Sequence, residues 1–178
     1  LLAVTGVQTC ALPISTVALV NNAQREHQEF MATVEAVARE NAQVWRALSV
    51  NGVAIYPSDE EYTALWDELS AGHPRQRFGD AGRDADIWAT EIAADALGST
   101  FLMHTPAGTR RIALPVPGAH NVRNALAAAA CALSAGAPLA CVEAGLAGFR
   151  AAGGRMQPYR LPGGVVCIDD TYNANPDS

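Results

Sequence analysis

Lysine is absent from this 178-residue chain; all 12 basic side chains are arginine, set against 18 carboxylates for a net charge of −6. A nucleic-acid partner held by a broad basic face needs clustered Lys and Arg, and a pI near 5.1 excludes one. Cysteine is sparse. Cys10, Cys131, Cys141 and Cys167 form no CxxC pair and have no histidine at ligand spacing, which argues against a structural zinc site or a disulfide framework. Cys131 and Cys141 lie among alanines, where a free cysteine is expected to be a small buried hydrophobe, and reduced thiols suit the cytosol. No apolar run approaches the roughly 18 residues of a spanning helix. The N-terminus lacks the basic start of a signal peptide. The expectation is a soluble, cytoplasmic chain with neither nucleic acid nor membrane as partner. A GxxxxGK[ST] phosphate loop is also missing.

What is present suits a packed domain, with 49% hydrophobic and 17% charged residues. Residues 1–6 (LLAVTG) read as a buried strand entering a glycine turn, but residues 7–15 continue as a stretch resembling a translated adapter junction. The β-branched run at 16–21 (TVALVN) predicts a buried parallel strand, and apolar residues from Phe30 to Leu48 recur at helical spacing. Gly52 predicts a turn before a strand at 53–56. Ser58 with Glu61 predicts a capping box opening a helix striped by Tyr62, Leu65, Trp66 and Leu69. Strand and helix alternating this closely predict an α/β fold, a mostly parallel sheet flanked by helices. Strands at 86–94, 100–105 and 110–114, the last two joined around Ala107-Gly108, predict a small antiparallel segment at its edge. Asn121 is expected to cap an alanine-rich helix at 122–135, and Pro138 to open another at 139–149. Residues 165–168 predict a last buried strand, with Asp169 and Asp170 at its end.

Ligands of open α/β sheets bind beyond the carboxyl ends of the strands. Two polar clusters fall at such ends, Asn21 to His27 and Asp169 to Asn175, and a third, His120 to Asn124, falls at a helix N-terminus suited to anions or polar ring edges. Each alone has a plain structural reading: a solvated loop His27, a capping Asn121, a turn-forming Asp170, a solvated Arg155.

The run Ile168-Asp169-Asp170-Thr171-Tyr172-Asn173-Ala174-Asn175-Pro176 resembles the DD[ST]YNANP signature found in the Mur ligase family. Residues 117–129 (PGAHNVRNALAAA) match the family's GxHNxxNALAA stretch, and residues 21–27 stand where it has an Asn…His turn. The resemblance covers almost everything from Thr16 onward. It implies the family's P-loop-type central ATP-binding domain over residues 16–168, without its phosphate loop. Residues 1–15 would be a residual strand plus junction, and residues 169–178 the start of a linker to an absent C-terminal domain.

The activity implied is an ATP-dependent peptide ligase of peptidoglycan synthesis, a monomer using Mg²⁺. It joins D-alanyl-D-alanine to UDP-N-acetylmuramoyl-tripeptide through an acyl phosphate. Carried over residue by residue, Asn124 would hold the adenine edge, with His120 and Asn121 shaping that end of the pocket. Asp170 would take the ribose hydroxyls, Arg155 the phosphates, and His27 a magnesium ion or the acyl phosphate. Tyr172, Asn173 and Asn175 would line the muramyl-peptide side. The sequence departs from the pattern in its missing loop and in having no lysine at residues 38–41, where many members carry a metal-holding carbamylated one. Catalysis by this chain alone is therefore not expected. Another Mur-type ligase (a tripeptide or folylpolyglutamate synthetase) and a non-catalytic nucleotide-binding domain are the alternative readings.

Overall fold

The computed structural model describes residues 15–24, 33–79, 84–154 and 157–172. Six strands form one sheet in sequential order, β1 (Ser15–Leu19), β2 (Leu48–Pro57), β3 (Arg75–Gly79), β4 (Ile87–Ala94), β5 (Ser99–Thr105) and β6 (Gly108–Leu114). The first four run parallel, and β5 is antiparallel to both β4 and β6. The mostly parallel sheet with an antiparallel edge is therefore as the alternation of elements predicts.

The alternation of β1 and β2 feeds two cores, and the buried residues of β3 to β6 join one of them. On one face Ala18, Val20, Ala54 and Tyr56 pack under α1 (Val34–Asn41), the 3₁₀ turn Ala42–Ala47 and α2 (Thr63–Leu69). On the other, Ile55, Phe78, Ile87, Phe101 and Ile112 pack under α3 (Ala119–Ser134) and α4 (Leu139–Ala147). The fully or almost fully buried alanines of α3, Ala125, Ala127, Ala129 and Ala130, let that helix lie close against the strands. Two indoles fasten the first face: Trp45 Nε1 donates to the Ala18 carbonyl at 3.2 Å, and Trp66 Nε1 to that of Ala38 at 3.1 Å.

Several sequence expectations are corrected. Gly52 does not turn the chain but lies inside β2, which begins at Leu48. The register explains this: Ser15 pairs with Leu48 and Val17 with Val53, so five residues of β2 oppose two of β1, and the excess bulges out at Val50. The Ser58–Glu61 box does not form. Tyr62 is the N-cap of α2, and Thr63 Oγ1 instead accepts from Glu60 N–H at 3.1 Å and donates to the Pro57 carbonyl at 3.0 Å. Strand β3 (RQRFG) is not predicted at all, because its polar residues conceal the buried pair Phe78 and Gly79. The last strand, β8 (Val166–Asp169), is largely exposed and pairs antiparallel with β7 (Gln157–Arg160) in a separate two-stranded sheet. Cys141 is exposed and not buried, because it faces away from the sheet on α4.

Candidate functional site

The chain leaves β1 at Val20, whose N–H still bonds the Ile55 carbonyl of β2 at 2.9 Å, and passes directly into Asn21 and Asn22. Both asparagines are pinned from opposite sides. Asn21 Nδ2 donates to Asn124 Oδ1 on α3 at 3.0 Å, and the Asn22 carbonyl accepts from Asn41 Nδ2 at the end of α1 at 3.2 Å. Asn21 at the tip of β1 and Asn124 on α3, drawn from two of the three polar clusters of the sequence, thus meet. Asn21 Oδ1 is buried and has no hydrogen-bond partner, whereas Asn124 is exposed.

The α3 terminus differs from expectation. Gly118, with φ of 99°, is the N-cap; Asn121 lies within the first turn, and its Nδ2 donates back to the Pro117 carbonyl at 2.7 Å. A side chain at Gly118 would meet the His120 ring, whose Cε1 would lie 2.6 Å from an added Cβ. His120 is exposed, folded over that glycine. Asn121 N–H and Val122 N–H both bond the Gly118 carbonyl, at 3.0 and 3.2 Å.

A second cluster lies at the end of β8. The Asp169 carboxylate accepts from Thr171 Oγ1 at 2.7 Å and from Thr171 N–H at 3.2 Å. The Thr171 hydroxyl foremost, then the Thr171 and Gly154 N–H groups, hold this carboxyl below its ordinary value. Gly154, at φ +74°, packs directly on Thr171 and Tyr172, and its carbonyl accepts the Tyr172 N–H at 2.9 Å. Asp170 and Tyr172 are exposed here. Of the remaining expected site residues, His27, Arg155, Asn173 and Asn175 lie outside the described residues.

Three side chains that sequence reasoning passed over brace the first cluster. Arg123, one turn into α3, grips Asp59 and Glu60 beyond the carboxyl end of β2. The signal available was an arginine inside the HNxxN run, a position otherwise open to any residue.

An exposed asparagine amide beside a helix N-terminus offers hydrogen bonds to a ring edge, and a strand-end carboxylate offers acceptors to hydroxyls. Among the described residues no group of three or more His, Cys, Asp or Glu side chains could hold a metal.

The carboxyl ends of the strands in an open, mostly parallel sheet are where α/β nucleotide-binding proteins carry their ligands. Residues 9–132 match the model of the Mur ligase middle domain, and the chain belongs to that family. It is 36% identical over 94% of its length to the UDP-N-acetylmuramoyl-tripeptide–D-alanyl-D-alanine ligase of Escherichia coli K12, of which it covers 37%. It is 38% identical over 90% of its length to that of Haemophilus influenzae, covering 34%. A crystal structure of MurF from Acinetobacter baumannii superposes with a TM-score of 0.84 at 34% identity, over 91% of this chain and 35% of the other. The chain therefore spans about a third of the length of the curated relatives it matches. No helix among the described residues is long and apolar enough to cross a membrane.

Proposed function

We propose that this chain is the central, ATP-binding part of a cytoplasmic, monomeric ligase of peptidoglycan synthesis that adds D-alanyl-D-alanine to UDP-N-acetylmuramoyl-tripeptide. Identity of 36% across 94% of the chain to a relative bearing that name carries the reading. A structure bearing a different name, a UDP-N-acetylmuramoyl-L-alanyl-D-glutamate–2,6-diaminopimelate ligase, fits less well, with 25% identity and a TM-score of 0.71.

In this reading ATP supplies the phosphoryl group that activates the tripeptide carboxylate. Asn124, His120 and Asn121 hold the adenine end, where the α3 terminus presents its first turn. Asp170 takes the ribose hydroxyls, a role suited to a carboxylate that can accept two hydrogen bonds. Arg155 balances charge on the phosphates, and His27 serves the phosphoryl end, where a magnesium ion would have to draw its ligands. Tyr172, Asn173 and Asn175 face the muramyl peptide. The domain reading is residues 16–168 as the ATP-binding unit and 169–178 as the start of a linker.

Without a GK[ST] loop the isolated chain binds nucleotide and does not turn it over. Residues 16–178, grafted into the E. coli relative in place of the matching segment, test the assignment. Release of ADP that depends on both D-alanyl-D-alanine and UDP-N-acetylmuramoyl-tripeptide is expected. Dependence on a different amino acid or peptide would overturn the substrate assignment, and steady ATP turnover by the 178-residue chain alone would overturn the inactivity.

A further inference from the structure

We propose that Asn21 is a positioning residue that sets the polarity of the nucleotide site: it turns the Asn124 amide so that the site offers a donor to a ring nitrogen of the base. The proposal rests on the adenine-end role given to Asn124 above and goes beyond it in naming what orients that side chain and which atom of the base is read.

A free asparagine amide can present either its oxygen or its nitrogen to a ligand, and rotation of about 180° exchanges them. At Asn124 the choice is made by the neighbouring strand end. Asn21 Nδ2 donates to Asn124 Oδ1 at 3.0 Å, which commits the oxygen inward. Among the described residues Asn124 Nδ2 has no hydrogen bond, and the residue is exposed. The outward group is therefore an N–H pair, complementary to an acceptor. Adenine carries its acceptors on ring nitrogens, while its exocyclic amino group is a donor.

Asn21 is placed at a disadvantage to do this. Among the described residues its own Oδ1 is buried without a hydrogen-bond partner, an arrangement that burial alone would not favour over an apolar side chain of the same size. Nothing in the packing of β1 calls for an amide there; among the described residues, the one side-chain bond it makes is the one that orients Asn124. The backbone holds it firmly, with Val20 N–H bonded to Ile55 on one side and the Asn22 carbonyl to Asn41 on the other.

The test measures affinity of the 178-residue chain for ADP and its 1-deaza, 3-deaza and 7-deaza analogues by ligand-observed NMR or calorimetry. Each deaza analogue replaces one ring acceptor by C–H. The expected result is that one analogue binds about tenfold more weakly than ADP and the other two bind like ADP. In Asn21→Asp the carboxylate accepts from Asn124 Nδ2, the amide turns its oxygen outward, and the tenfold preference disappears. Asn21→Leu keeps the volume, melts at no lower temperature than the native chain, and also loses the preference. The proposal is overturned if either variant keeps the preference, or if the native chain binds ADP and all three analogues equally. Failure of the native chain to bind ADP at all would remove the nucleotide-site reading and this inference with it, an outcome distinct from binding without discrimination.

Discussion

Arg123 and Asp59 form a two-pronged ion pair across 64 residues of sequence, with Arg123 Nη1 2.9 Å from Asp59 Oδ2 and Nη2 bonded to Oδ1. Nη2 also reaches Glu60 Oε1 at 3.1 Å, and the guanidinium lies 5.9 Å from the Phe78 ring centroid. The Asp59 side chain is only 6% exposed and that of Arg123 30%. The pair ties the second turn of α3 to the loop after β2, so it holds the helix whose first turns carry His120, Asn121 and Asn124.

Removing the guanidinium should weaken the fold more than loss of a surface pair would. Arg123→Met is expected to lower unfolding free energy by about 2 kcal/mol, below the range for a fully buried pair because Arg123 is partly solvated. Arg123→Lys should restore less than half, since an ammonium cannot form the fork. Gly79→Ala attacks the same pair from the other side: an added Cβ would stand 2.7 Å from Asp59 Oδ1, at a φ of +151°. Urea denaturation checks all three, and an unchanged midpoint for Arg123→Met would rule out the clamp as a stabilising element.

Tyr56 is fully buried in the face covered by α1 and α2, where its hydroxyl donates to Asp67 Oδ1 at 2.7 Å and accepts from Ser70 Oγ at 3.3 Å. Burial first of all pushes the phenol above its ordinary value. Tyr56→Phe is expected to cost about 1 kcal/mol, because the ring packing survives while Ser70 loses a buried partner. A chemical-denaturation difference near zero would mean that Asp67 and Ser70 satisfy each other without it.

At the end of β8 the Thr171 hydroxyl is the largest influence lowering the Asp169 carboxyl. Thr171→Val should raise that carboxyl towards the ordinary carboxylate value, read by carbon NMR across an acid titration. The sign follows from the depression: the folded chain favours the ionised form, so the stabilisation is present above the unfolded value and fades as pH drops through the folded one. An unmoved titration would show that the backbone N–H groups suffice.

Thiol labelling separates the cysteines by environment. Cys141 and Cys167 are exposed, whereas Cys131 is half-buried and burial raises its pKa. In single-cysteine variants, an aromatic disulfide reagent should modify Cys141 and Cys167 rapidly at neutral pH and Cys131 at least about tenfold more slowly, as its smaller thiolate fraction requires. Equal rates would place α3 further from the sheet than its buried alanines indicate.

The parallel core was legible because β-branched runs and helical stripes obey simple periods, and the β5–β6 hairpin because Ala107-Gly108 marks its turn. Strand β3 escaped because Arg75, Gln76 and Arg77 hide a strand whose buried residues are only Phe78 and Gly79. The α2 cap was misplaced because Thr63 Oγ1, not Ser58, finds the free backbone groups. For the proposed site, motif words point to His120, Asn121, Asn124 and Asp170. The Asn21–Asn124 bond and the Arg123–Asp59 pair join residues 103 and 64 positions apart, and spacing along one sequence does not encode such contacts.

The three tryptophans divide the molecule optically. Trp45 and Trp66 are sealed beneath α1 and α2 with their indole N–H groups occupied, while Trp88 stacks on His104, ring centroids 5.0 Å apart, in the β4–β5 ladder. Their combined emission therefore carries two signals of different origin. A soluble quencher dims the Trp88 component first and leaves a blue-shifted remainder. Melting of the α1–α2 layer can then be followed apart from fraying at the antiparallel edge, with no label attached.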